Sequence, residues 1–370
     1  MSDLVAAIAN LSPERKAELI ARLKAGKGGA VRGADIDHAR NHEYRFRSDI
    51  PFDLAAAPLE VGDPDPDCVQ VDARASALNF RDVMIALRIY PASPEVPSNM
   101  GSDYAGVVTK VGSRVTRFKP GDEVIAMNIG HVEQGRIREN SHFAKCINIY
   151  EMCVFRKPQR LTFAEASLIP TVYLTAWLAL VTCARLQRGE TVLVHTATGG
   201  VGLAAIEIAR HLGAEILATA GTADKRAYLA GLGIDHVGDS RSTAFAAQLR
   251  AAGKVPDVIL NTLAGDLMLE SLGLLGPFGR FVHIDKKDIA ADTALPMGRL
   301  IQGLAFHFLD ISLLLRNPRH LESAMAALVE LFEAGSIQPI AHRSYRAADV
   351  KQAITDLSRG THIGKLVVEY

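Results

Sequence analysis

Val194-His195-Thr196-Ala197-Thr198-Gly199-Gly200-Val201-Gly202 is the stretch whose reading decides the fold. It follows the apolar run TVLVH (191–195) and precedes the helical run Leu203–Leu212, so a strand has to turn sharply into a helix there. Such a turn offers bare backbone N–H groups at a helix N-terminus to a pyrophosphate, and a side chain at Gly199 would block that approach. Ala197 stands where the dinucleotide fingerprint has its first glycine, and Gly199 and Gly202 fill the other two positions. Thr198, Gly199, Gly200, Val201 and Gly202 are therefore the expected dinucleotide-binding residues.

Downstream, the strand EILATA leads into Thr219-Ala220-Gly221-Thr222, with Lys225 close behind. An enzyme that uses NAD usually ends this strand on Asp or Glu, which accepts from the ribose 2′-hydroxyl. Here small polar groups and a lysine stand in that place, which suits a 2′-phosphate and points to NADPH. Arg241 supplies a second candidate cation, while Asp224 falls on a helix start where an acid is favoured anyway. Helix Lys225–Leu232, strand Asp257–Asn261, helix Met268–Leu275 and strand Gly279–Ile284 follow in turn. Apolar strands alternating with amphipathic helices predict a parallel sheet covered on both faces. Asn261 ends a strand on the edge where ligands bind in such sheets.

Upstream the texture differs. From Tyr44 to about Glu151, short strands such as Cys68–Ser76 lie between turns, including Gly62-Asp63-Pro64-Asp65-Pro66 and Lys119-Pro120-Gly121-Asp122. That pattern predicts a compact barrel-like β domain. Residues 1–30 read as a helical appendage or linker, started by Ser12-Pro13-Glu14 and ended by Gly26-Lys27-Gly28-Gly29.

The 370 residues carry 41 basic and 41 acidic side chains, which gives no electrostatic case for nucleic acid or an anionic membrane as partner. The best apolar run, 301–315, contains His307 and Asp310 and is no membrane span. The start lacks a basic region, so a cytoplasmic enzyme is the expected class. Cys68, Cys146, Cys153 and Cys183 form neither a CxxC pair nor a zinc-ligand spacing, so free thiols and no metal are expected.

The chain resembles the medium-chain dehydrogenase/reductase superfamily, and within it the zinc-free enoyl reductase domains of modular polyketide synthases. The resemblance rests on ALNFRDVMIALRIYP (77–91), MGSDYAGVVTKVGSRVTRFKPGDEV (100–124), IPTVYLTAWLAL (169–180) and VLVHTATGGVG (192–202). NTLAGDLMLESLGLLGPFGRFVHIDKKDI (261–289) and HIGKLVVEY (362–370) complete the series. It implies an α/β fold: a GroES-like β-barrel substrate domain over 31–168 and 311–370, with a Rossmann NADPH-binding domain over 169–310. Superfamily alcohol dehydrogenases typically have Gly-His-Glu where this chain has Gly101-Ser102-Asp103.

Reducing an α,β-unsaturated thioester needs hydride at the β carbon, stabilised enolate charge and a proton at the α carbon. The resemblance assigns the candidate proton donors to Tyr90 and Lys286, with Asp285 placed either to hold the Lys286 ammonium or to solvate the turn. Where the family usually has glycine and a small residue, this chain has Asp285 and Lys287. Asn79 and Asp82 look largely structural, although Asn79 is also a candidate neighbour of the nicotinamide, and Thr175 a candidate partner of its carboxamide. The polar region Asn128–Phe143 departs most from the reductases; His131 and His142 are read as non-catalytic, and the segment as reshaping the substrate entrance or, through Arg136 and Arg138, accepting a phosphopantetheine phosphate. An acyl carrier protein bearing an enoyl thioester is the implied partner, with flanking polyketide synthase domains. Quinone or small-enone reduction, hydride-triggered ring closure and a non-catalytic scaffold are the competing readings.

Overall fold

The computed structural model describes residues 41–48, 50–88, 90, 99–128, 131–133, 136–138 and 142–370. The expected appendage (1–30) lies outside them, as do the side chains of His131, Arg136 and Arg138. The chain divides into two compact units: the residues up to Thr171 joined by Ala341–Tyr370, and Val172–Ile340.

The first unit begins with strands β1 (His42–Phe46), β2 (Leu54–Pro58) and β3 (Cys68–Ala77), then helix α1 (Phe80–Ala86). Strands β4 (Asp103–Val111), β5 (Glu123–Met127), β6 (His131–Glu133), β7 (Arg136–Arg138), β8 (Cys146–Tyr150) and β9 (Val154–Arg156) follow. Helix α2 (Phe163–Cys183) carries the chain into the second unit. There it forms β10 (Thr191–Val194), α3 (Gly200–Leu212), β11 (Glu215–Ala220), α4 (Ala223–Gly231), β12 (Val237–Asp239) and α5 (Ala244–Ala251). Next come β13 (Val258–Asn261), α6 (Asp266–Leu272), β14 (Arg280–His283), α7 (Lys287–Ala290), β15 (Ala305–Phe308) and α8 (Pro318–Glu333). The return adds β16 (His342–Arg346), α9 (Val350–Arg359) and β17 (Lys365–Glu369).

In the first unit, β16-β17-β3-β4-β5-β9 run in one sheet with β8 paired to β3. The barrel half is thus closed by the last strand of the chain, β17, pairing antiparallel with β3 (Val368 against Ser76). Gly364 makes that closure possible: its φ is +74°, and a Cβ there would lie 1.7 Å from the Ala341 carbonyl oxygen. The second unit is a parallel six-stranded sheet ordered β12-β11-β10-β13-β14-β15. In chain order that is 3-2-1-4-5-6, the dinucleotide-binding order, with its switch point between β10 and β13. The expected α/β class with a GroES-like domain and a Rossmann domain is the observed architecture.

Three expectations need correction. The return to the first unit falls at Ala341, not 311, because α8 packs within the second unit, where Phe332 meets Tyr173 edge-on at 4.9 Å. Neither β12 nor β15 was anticipated; one has three residues and the other is a half-buried edge strand. One segment does have the length and apolarity of a membrane span, α2, but 72% of its most apolar window is buried inside the protein. A helix packed on several sides of a core has the same composition. Pro170 sits in it without a helical N–H to give, and the turn Ile169–Tyr173 widens to a π-helical one around that position.

Candidate active site

The fingerprint folds as the strand-turn-helix reading requires. Gly199 caps α3 with extended backbone, no side chain caps the helix, and no acid occupies its first turn. The first amides of α3 therefore have no side-chain acceptor of their own, the arrangement that receives a phosphate. Gly199 and Gly202 are glycines for different reasons. A Cβ at Gly202 would lie 2.5 Å from Ala197 Cα, so helix and strand close on each other there. A Cβ at Gly199 would meet only the Thr196 carbonyl oxygen, at 3.4 Å. Packing within the protein leaves that position open, and the demand for bare backbone comes from what approaches the amides. Thr198 is buried, while Gly200 and Val201 are half-buried in the first turn.

At the end of β11, Gly221 faces Arg241: a Cβ on Gly221 would lie 2.8 Å from the Arg241 Nε. Lys225 is close enough to Arg241 that its ammonium is depressed below the ordinary lysine range, first by burial and then by the guanidinium charge. Two cations held this near to each other, beside a strand end without a carboxylate, favour an anion between them. The nearby acid, Asp239, is answered by Arg226, whose Nη1 lies 3.2 Å from its Oδ2. The residues present thus fit a nicotinamide dinucleotide, with a diphosphate on the α3 amides and a ribose-side anion near Lys225 and Arg241.

Further along the same carboxyl edge, Lys286 follows β14 and Asp310 follows β15. Their ion pair measures 2.7 Å. Burial alone would raise the Asp310 carboxyl, but the Lys286 hydrogen bond and charge, with two bonds from Ser312, hold it below the usual carboxylate range. Of the two roles left open for Asp285, it takes the turn and not the Lys286 ammonium: it pairs with Lys287 at 3.7 Å and accepts its N–H. Parallel pairing of β14 with β15 brings Asp310 to Lys286, a neighbour that adjacency in sequence does not show. Asn261 is fully buried; its Nδ2 binds the Leu263 carbonyl (2.7 Å) and His283 Nδ1 (2.8 Å). Both amide hydrogens are thereby committed to shaping the strand end. Thr175 is buried within α2.

In the first unit, Asn79 starts α1, where its N–H donates to Asp82 (2.7 Å). Its side-chain amide donates to Ser102 Oγ (3.0 Å) and Asp103 Oδ2 (2.9 Å) and accepts from Lys365 Nζ (2.6 Å). Asp103 also accepts from Thr171 Oγ1 and faces Lys365 Nζ at 3.4 Å. Burial raises the Asp103 carboxyl and lowers the Lys365 ammonium, each partly offset by the other's charge. The Asp82 carboxyl is pushed up to about 6 by burial despite bonds from the Asn79 and Gly101 N–H groups. Lys365 was not foreseen; a lysine opening the apolar strand KLVV was its signal. Tyr90 is half-buried at the rim of the barrel core, its ring 5.2 Å from the Arg81 guanidinium carbon. Of the two proposed proton donors, Tyr90 belongs to the first unit and Lys286 to the second. His142 accepts the Met100 N–H at 2.9 Å, a structural contact.

Among the described residues no three His, Cys, Asp or Glu side chains group to hold a metal. Two family models match parts of the chain. Residues 65–177 match the family described as alcohol dehydrogenase GroES-like domain, and residues 232–368 that described as zinc-binding dehydrogenase. The phthioceranic/hydroxyphthioceranic acid synthase of Mycobacterium bovis is 39% identical over 308 residues, covering 82% of this chain but 14% of that protein. The matched stretch thus spans about one seventh of that relative's length. Among solved structures, the CurF ER cyclopropanase of the curacin A biosynthetic pathway superposes with a TM-score of 0.79 at 30% identity, covering 89% of this chain and 99% of that one. The CurK enoyl reductase does so with a TM-score of 0.77 at 29% identity and the same coverage. The chain belongs to the medium-chain dehydrogenase/reductase superfamily, in its polyketide-synthase enoyl reductase branch.

Proposed function

We propose that the chain is an NADPH-dependent enoyl reductase acting on the α,β double bond of an enoyl thioester carried by an acyl carrier protein. The observation that carries this reading is the carboxyl edge of the six-stranded sheet. One end of it offers uncapped helix amides and the Lys225–Arg241 pair, and the other offers an ammonium held by Asp310. NADPH, when bound, supplies hydride. The α3 amides would hold its diphosphate, and Lys225 with Arg241 its 2′-phosphate. Lys286 would present a proton to the α carbon, with Asp310 orienting the lysine. Tyr90 is the second donor. Relatives that are far longer than this chain support carriage by flanking synthase domains.

The test is oxidation of NADPH against NADH with a crotonyl-pantetheine thioester, with mass analysis of the product. Saturated product with NADPH preferred supports the reading; equal use of NADH refutes the 2′-phosphate pocket. Similarity to a structure described as a cyclopropanase favours one second reading, hydride delivery followed by ring closure with expulsion of a leaving group. A substrate bearing a γ leaving group distinguishes the two by product mass.

A further inference from the structure

His195 directly follows strand β10 inside the fingerprint and is 1% exposed, yet no step above uses it. Its ring joins two elements. Nδ1 lies 2.9 Å from Thr219 Oγ1 on β11, and Nε2 lies 2.9 Å from Ser271 Oγ on α6. The hydrogens in this chain can be assigned by counting donors. Ser271 Oγ donates to the Leu267 carbonyl at 2.7 Å, which uses its one hydrogen, so toward His195 it can only accept. The imidazole is then protonated on Nε2, and Nδ1 accepts the Thr219 hydroxyl. Thr219 Oγ1 in turn accepts the Thr196 N–H at 3.3 Å, and the Thr219 carbonyl accepts the Ala197 N–H at 2.8 Å.

Thr196 is the residue for which this matters. Its φ is +46°, a left-handed conformation that a β-branched residue adopts only when its surroundings enforce it. Its carbonyl accepts the Gly199 N–H at 2.9 Å, so the bend at Thr196 sets where the cap of α3 begins. The ring itself stays neutral, because burial pushes its pKa down to about 3.

We propose that His195 is a positioning residue: locked as the Nε2–H tautomer between Ser271 and Thr219, it fixes the Thr219 hydroxyl so that the strained Thr196 turn, which takes the Gly199 N–H, holds the first amides of α3, from Gly200 on, in place for a diphosphate. The proposal rests on the reading of those amides as the dinucleotide cradle. One polarity runs through it, from the Thr196 N–H to the Leu267 carbonyl, and a hydrogen-bond chain of single polarity has only one arrangement of protons.

Two measurements test it. In the free protein, nitrogen-detected NMR of His195 should show a protonated Nε2 and a bare Nδ1, unchanged between about pH 8 and pH 5. NADPH affinity, read by its fluorescence, should weaken about tenfold in Thr219→Val, which keeps the shape of the side chain but removes the hydroxyl. Thr219→Ser should restore it to within about threefold, and saturating kcat should change less than Kd. His195→Gln should weaken binding similarly; should it fail to fold, the Thr219 pair decides alone. An Nδ1–H tautomer, or a folded Thr219→Val with unaltered Kd, overturns the relay while leaving the cradle. Failure of the unaltered protein to bind NADPH overturns both, and the tautomer measurement separates that failure from an error in the hydrogen-bond assignment.

Discussion

Replacing Lys365 by methionine probes the polar centre of the barrel unit. The stem is nearly preserved, and what disappears is a charge: the lysine side chain is 5% exposed and its partner Asp103 is 0% exposed. Asp103 keeps its bonds from Thr171 and Asn79 but loses the cation 3.4 Å away, and Asn79 loses the donor at 2.6 Å. Removing one member of a buried ion pair costs about 3–5 kcal/mol, because the other charge stays buried without compensation. With a urea slope of about 2 kcal/mol/M, the midpoint followed by far-UV circular dichroism should fall by roughly 1.5–2.5 M. The single tryptophan, Trp177, lies in the other unit, so its fluorescence is the less direct probe.

The same variant has a signed pH dependence. Without the lysine, burial carries the Asp103 carboxyl further above its unfolded value, and the folded protein takes up a proton there. A raised folded pKa favours the native state at acid pH and loses that contribution as pH rises through it. The deficit of Lys365→Met should therefore be smaller near pH 5 than near pH 8, by up to about 1.4 kcal/mol for each pH unit of the shift. Adding Asp103→Asn should recover about 1–3 kcal/mol relative to the sum of the single costs. A midpoint within about 0.3 M of the parent at both pH values, or strict additivity, would refute the account of a coupled buried pair.

Gly202→Ala places a Cβ 2.5 Å from Ala197 Cα, backbone against backbone, so α3 must back away from β10. NADPH should then bind at least about tenfold more weakly, as titrated by fluorescence. Gly221→Asp sets a carboxylate against the Arg241 guanidinium and repels a 2′-phosphate. KM for NADPH should rise about 10- to 100-fold with little change for NADH, and a uniform loss for both cofactors would argue against the pocket. Lys286→Met should lower kcat about 10- to 100-fold, and Asp310→Asn should do so less. The double substitution should do no more harm than Lys286→Met alone, because the two act as one unit; multiplying effects would show Asp310 acting elsewhere.

What could be read from the sequence was what repeats locally. Strand β11 was expected over the residues it occupies, and α3 was anticipated from Leu203 on, because buried parallel strands are short apolar runs and their covering helices alternate in period. Strand β12 left too little: three half-buried residues carry no period. Partners were harder still. Asp285 sits beside Lys286 in the chain, and that adjacency suggested a pair. The ammonium instead goes to Asp310, across a strand pairing that no local pattern encodes.

Asn79 shows the same limit at a single residue. It was read with Asp82 as largely structural, and it does start α1, a helix the sequence reading had not placed. Its amide, however, is engaged by Ser102, Asp103 and Lys365, and Lys365 lies 286 positions away. That closure needs β17 to return to β3, and only then does Lys365 become the cation facing Asp103. Ser102 and Asp103 occupy positions where zinc enzymes of the superfamily typically carry histidine and glutamate. An ammonium supplied from the far end of the chain therefore meets the buried carboxylate there, so the polarity of that pocket depends on the barrel closing.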